Sequence, residues 1–106
     1  MNDTPNPRIE NLKRMLERAP TDPRPRLGLA MEYEKLGRWD DVARELQAYL
    51  ETSADQGNAW GRLGHALRQL GRDEEARGAY VRGIAEARAH GHPGMAAEFE
   101  EVLEEW

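Results

Sequence analysis

The chain repeats itself at a spacing of 34 residues. Leu29, Ala30, Leu36, Gly37 and Arg38 return as Leu63, Gly64, Leu70, Gly71 and Arg72. Beyond them the acidic pair Asp40 and Asp41 returns as Glu74 and Glu75, and Leu46 and Leu50 return as Tyr80 and Ile84. A fixed period of this length marks stacked supersecondary units, and 34 residues is the length of a helix–turn–helix repeat. Each such unit buries its apolar side against its neighbours. A chain of 106 residues therefore escapes the limit that its size would set on a single compact core.

Local signals punctuate the repeat. Residues 1–7 hold two prolines and two asparagines without apolar periodicity, so they are expected to form a disordered tail ahead of a single domain over 8–106. Ile9, Leu12, Leu16 and Ala19 then mark one face of a helix, with Met15 beside it, and Pro20 ends it. Asp22-Pro23 is a start signal, an acceptor for free backbone N–H groups followed by proline at the first helical position. The helix it opens runs to Leu36 and stops at Gly37. Asp40 and Asp41 sit in the first turn of the next, where the helix dipole favours anions, and Val42, Leu46, Tyr49 and Leu50 point inward. The same grammar recurs over 58–70, with Gly71 as stop, Asp73 as N-cap and a helix over 74–89. HGHPG reads as the last loop, and Met95, Phe99, Val102, Leu103 and Trp106 form one apolar stripe beyond it. The expectation is an all-α chain of six antiparallel helices.

Composition excludes several function classes. There is no cysteine, hence no disulfide, thiolate metal site or cysteine nucleophile. No run approaches the roughly 20 apolar residues of a membrane span, and MNDTPNPR is no signal sequence. A soluble cytoplasmic protein is expected. Arginine outnumbers lysine 13 to 2, a bias expected of a GC-rich bacterial genome. The net charge of −5 lies entirely on Glu98, Glu100, Glu101, Glu104 and Glu105, since residues 1–97 balance 15 acidic against 15 basic side chains. Such a chain has no basic footprint for a phosphate backbone, so no nucleic-acid partner is expected.

No catalytic set emerges. His90 and His92 form an H-x-H pair but lack the third and fourth ligands of a zinc site. Ser53, the only serine, has no histidine or acid partner in the pattern, and Gly61-Arg62-Leu63-Gly64 has neither the strand nor the lysine of a phosphate loop. The glutamates at 98–105 occupy the polar face of an amphipathic helix, where solvation accounts for them. No enzyme activity, metal or cofactor is expected.

The second unit resembles the tetratricopeptide repeat (TPR) family through Trp60-x-x-Leu63-Gly64, Leu67, Leu70-Gly71, Ala76, Tyr80 and Ile84. The first unit is similar at Leu29, Ala30, Tyr33, Gly37 and Leu46. It departs at Arg26, where the family has tryptophan, and at Val42, where alanine is usual. Pro20 matches the inter-repeat proline, so 9–20 resembles the second helix of a truncated unit. The resemblance implies a right-handed TPR-type helical solenoid with repeats over 23–56 and 57–90 and a capping helix over 94–106. Gly64 and Ala30, each seven residues before a turn glycine, fall on the face that meets the following helix, where a small side chain lets two backbones approach.

In this family the first helix of each pair lines a concave groove that receives a peptide or a helix. Carried over residue by residue, the groove positions are Leu27, Met31, Glu34 and Lys35 in the first unit. In the second they are Asn58, Gly61, Arg62, His65, Arg68 and Gln69. Leu27 and Met31 are apolar, one turn apart and off the core stripe of Leu29, Tyr33 and Leu36, which suits an apolar anchor on the ligand. The subtype that clamps acidic chaperone tails has lysine and asparagine at these places. The expected partner is another protein with an apolar anchor and some acidic character, bound by a monomer. Self-assembly or a permanent subunit contact through an exposed solenoid end is the alternative.

Overall fold

The computed structural model describes residues 6–106, which form six α-helices: α1 (Pro7–Arg18), α2 (Pro23–Lys35), α3 (Trp39–Thr52), α4 (Asn58–Gln69), α5 (Asp73–Ala89) and α6 (Pro93–Glu104). No strand occurs among the described residues. The chain divides into two compact units, Met1–Thr52 and Ser53–Trp106. In the first, α1 packs on α2 and α2 on α3. In the second, α4 packs on α5 and α5 on α6. The protein is thus all-α, with successive helices packed as neighbours within each unit.

Three helices end in the same way. Gly37, Gly71 and Gly91 hold φ values of 68, 75 and 76°, a left-handed conformation that a Cβ would penalise. The N–H after each glycine donates five residues back, Arg38 to Tyr33, Arg72 to Leu67 and His92 to Ala87. The glycine's own N–H donates three back, Gly37 to Glu34, Gly71 to Arg68 and Gly91 to Arg88. These paired bonds are the Schellman arrangement, which satisfies carbonyls that a helix end leaves free. The HGHPG stretch is therefore a third copy of one cap.

Helix starts are more varied. The Asp22 carboxylate accepts from the Arg24 N–H at 3.0 Å and pairs with the Arg24 guanidinium at 2.9 Å. Those hydrogen bonds hold its carboxyl below the usual range. Asn6 caps α1 by accepting from the Ile9 N–H, with Pro7 in the first turn. The expected tail over 1–7 is corrected at these two residues, and residues 1–5 lie outside the described residues. Asp73 is the first residue of α5 and not its cap. The cap position falls to Arg72, whose guanidinium pairs with Glu75 at 2.7 Å. For α4, the Asp55 carboxylate accepts from the N–H groups of Gly57 and Ala59.

In the first unit Ile9, Leu29, Ala30, Tyr33, Val42, Ala43 and Leu46 are buried. Leu36 is corrected, being 46% exposed at the cap position where the chain turns away from α2. Ala19, at the same place on α1, is also exposed. Two carboxylates are buried with this core. Glu32 accepts from Arg8 at 2.9 Å and Lys35 at 3.1 Å, and Glu45 accepts from Arg26 at 3.0 Å. Buried carboxylates of this kind persist only when paired.

In the second unit Leu63, Leu67, Ala76, Ala79, Tyr80 and Ala96 are buried, while Trp60 is half-buried with the Arg82 guanidinium 5.0 Å from its ring. Gly64 is a close-packing position as expected, because a Cβ there would stand 2.7 Å from the Tyr80 ring. Burial pushes the Tyr80 phenol up. Gly61 departs from expectation. It is buried, and a Cβ on it would run into the tip of the Phe99 ring.

Substituting glycines on α4 and α5 should therefore separate by contact and not by helix propensity. Gly64→Ala and Gly61→Ala should each destabilise by about 1–3 kcal/mol through overpacking. Gly78→Ala on α5, where nothing lies within 4 Å, should stabilise by up to about 1 kcal/mol. Denaturant unfolding of the three variants measures the order, and a stabilised Gly61→Ala variant would contradict the Phe99 contact.

Acid should expose the contribution of Glu32. Hydrogen bonds from Lys35, opposed by burial and reinforced by Arg8, lower its pKa from the ordinary 4.5. A carboxyl lowered on folding contributes stability that is complete above its ordinary pKa. That stability is lost as pH falls through the lowered value. Wild type should be more stable than Glu32→Gln at neutral pH, and the two should converge as pH falls below the ordinary carboxyl value of 4.5. A stability difference that stays constant over that fall would show that the ion pairs contribute nothing.

Candidate functional site

The α2 residues expected to meet a ligand share one stripe, since Leu27, Met31 and Glu34 recur at helical spacing with Lys35 beside them. Met31 is 41% exposed. Leu27 and Glu34 are half-buried, and Lys35 is exposed with its ammonium on Glu32. Leu27 thus contributes to packing as well as to surface, a correction to its expected place wholly outside the packed stripe. The packed side of α2 consists of Pro25, Leu29, Ala30, Glu32 and Tyr33. Gly28 receives the Leu12 side chain of α1, 3.1 Å from where its Cβ would be.

The second set lies on α4. Asn58, His65, Arg68 and Gln69 are exposed, and Arg62 is half-buried. Gly61 belongs to the interior, beneath Phe99. The same ring lies against Gly83 and meets Tyr80 edge-on at 5.7 Å. Arg68 holds its guanidinium 4.2 Å from the Trp106 ring centre, and Arg77 stands 4.7 Å from the same ring. Tyr80 meets that indole edge-on at 6.1 Å. Part of the α4 face expected to take a ligand is therefore covered by Phe99 of α6 and by Trp106, two residues beyond that helix. Cation–π stacking uses the faces of the guanidinium plane and leaves its edge N–H groups able to donate.

The histidines of the last turn have local partners. His90 Nδ1 lies 2.9 Å from the Glu86 carbonyl oxygen, and His92 Nε2 lies 2.6 Å from Gln56 Oε1. Among the described residues no three His, Asp or Glu side chains gather as a metal-ligand set. No described helix is long and apolar enough to cross a membrane.

The sequence reading missed a groove of about 460 Å³ between α5 and α6. Val81, Ile84, Ala85 and Leu103 form its apolar surface, with Arg88, Glu100 and Glu104 at its edges. Val81 is 58% exposed, and Arg88 pairs with Glu100 across the groove. Its signal was present. Ala76, Tyr80, Gly83 and Ala87 make the buried stripe of α5, while Val81, Ile84, Ala85 and Arg88 make a second stripe one residue further round. Compared with models of protein families and with curated proteins, the chain gives no match to either.

The Phe99 contact has a measurable signature. Phe99→Ala should cost about 3 kcal/mol, the low end for loss of a packed aromatic ring, because Phe99 is half-buried. In that background Gly61→Ala should become neutral or stabilising, since the atom it strikes is gone. A double-mutant cycle by urea unfolding should therefore give a coupling of at least about 1 kcal/mol, and strict additivity would remove the contact.

Proposed function

We propose that the chain is a cytoplasmic, non-enzymatic binding scaffold of the tetratricopeptide type, with its repeats stacked as a right-handed solenoid. It holds a peptide or helix of a partner protein against the free side of its repeat-opening helices. The recurrent helix pairs and identical glycine caps support the type, as do buried Leu63 and Ala76 and the approach of Gly64 to Tyr80 in the second unit.

One observation carries the site. Met31 stands exposed one turn from half-buried Leu27, outside the packed side of α2. Methionine is flexible and polarisable, so an exposed Met beside a Leu adapts to an apolar side chain of a partner. On the second unit, the exposed edge of Arg68 is a donor for carboxylates, which gives the partner its acidic character.

The test is capture from lysate of the source cells, with mass spectrometry of the retained proteins. Wild type should retain a partner that Met31→Asp and the Leu27→Asp/Met31→Asp double variant lose, with helicity unchanged for Met31→Asp by circular dichroism. Arg68→Ala should weaken retention more at low than at high salt, because an exposed pair is screened over about 8 Å at physiological ionic strength. A folded double variant that keeps the same partner at the same strength would move the site off α2.

A further inference from the structure

Among the described helices, α1 packs on α2 alone and α6 on α5 alone. α2 is followed by α3 packed on it, and α4 by α5. The helices opening each pair begin at Pro23 and Asn58, and α6 begins at the same interval, at Pro93. No described helix follows α6 to pack on it. At the other end α1 packs on α2 with no described helix before it. On the side of α6 away from Phe99 an open groove runs between α5 and α6.

The two surfaces also match in chemistry. The groove is apolar at Val81, Ile84, Ala85 and Leu103. Its α6 side carries Glu98, Glu100, Glu101 and Glu104 without a single basic residue. Arg88 takes up Glu100, and Glu104 at the groove edge has no ion pair among the described residues. α1 turns Ile9 inward and Leu12 towards Gly28 of α2, which leaves Lys13, Arg14, Met15 and Arg18 exposed. Met15 is 41% exposed and is the one large apolar group on that side of α1. Apart from Arg8, which Glu32 takes up, α1 carries Lys13, Arg14 and Arg18 against Glu10 and Glu17, with Lys13 3.9 Å from Glu10.

We propose that copies of this chain assemble head to tail, with α1 of one copy seated in the α5–α6 groove of the next. Met15 enters between Val81, Ile84 and Leu103, while Lys13, Arg14 and Arg18 face the glutamates of α6. The contact is heterologous, so each added copy presents a fresh groove and a fresh α1. It uses none of the side chains assigned to the partner site on α2, and the two readings stand or fall separately.

Sedimentation velocity from about 10 µM to about 1 mM tests it, a range that covers weak association. At low salt the wild-type mass should rise with concentration past that of a dimer, and added salt should lower it. Val81→Asp removes the groove and Met15→Asp removes the inserted side chain, both at exposed positions that leave the fold intact. Each variant alone should remain monomeric. An equimolar mixture retains one working pair of surfaces and should form a dimer of one copy of each, with nothing larger. A wild-type chain that stays monomeric throughout overturns the proposal, as does self-association that survives either substitution. A mixture that stays monomeric also overturns it, because the interface would then be symmetric.

Discussion

The left-handed glycine at the end of a helix is the constraint from which the rest of this structure follows. At Gly37, Gly71 and Gly91 the chain reverses within two residues, and the N–H groups released by the turn return to the helix just ended. A side chain at those positions would oppose the turn. A looser reversal would leave the terminal carbonyls to water. Because the reversal is tight, the next helix lies against the one before. Contact distance is then decided by small residues on the facing sides, Gly64 beneath Tyr80 and Gly61 and Gly83 beneath Phe99. Turn and packing are one requirement, since neither ring could settle there if the turn set the helices wider apart.

The two units solve one packing position with different chemistry. Arg26 on α2 and Glu45 on α3 are joined by a hydrogen-bonded ion pair at 3.0 Å, and the residues in the same register of the second unit are Trp60 and buried Ala79. Desolvating a pair of charges costs free energy that their attraction only partly returns, whereas the Trp60 indole contributes by partial burial and by the Arg82 guanidinium over its ring. The first unit therefore gains orientation more than stability from Arg26, which ties α2 to α3 at one register. Glu32 does the same for α1 and α2 through Arg8. Two buried, paired carboxylates tie the helices of the first unit together, while the second relies on edge-on aromatic rings.

The sequence was legible where the signal is local. Gly37 and Gly71 ended helices where expected, Asp22-Pro23 opened one, and Asp40 and Asp41 fell in a first turn. It was silent where the outcome depends on a residue far along the chain. The repeat puts Gly64 on the packing face and Gly61 on the groove face, yet Phe99 sits on Gly61, and only the docking of α6 decides that. Leu36 shares the apolar character of Leu29 and Tyr33, but the turn at Gly37 carries it into solvent. Asn6 and Pro7 read as part of a tail because their cap serves a helix with a single buried side chain, Ile9. Of the ligand-facing positions transferred to α4, four remain exposed, while Gly61 and the face of Arg68 were taken by aromatic residues of the last fourteen positions.

That covering changes what the second unit can offer. With Phe99 over Gly61 and Trp106 against Arg68 and Arg77, α6 fastens its apolar side to the α4–α5 pair through rings. The opposite consequence is a groove on the far side of that seam. The rings hold α6 at the distance that leaves Val81, Ile84 and Leu103 facing one another across open space. Had α6 carried small apolar residues in place of Phe99, it could have sunk further toward α5, and the groove would close. The aromatic anchors that dock α6 thus also leave the groove beside it. The glutamates of α6, of which Glu100 alone has an ion pair among the described residues, make the α6 side of that groove acidic beside its apolar floor.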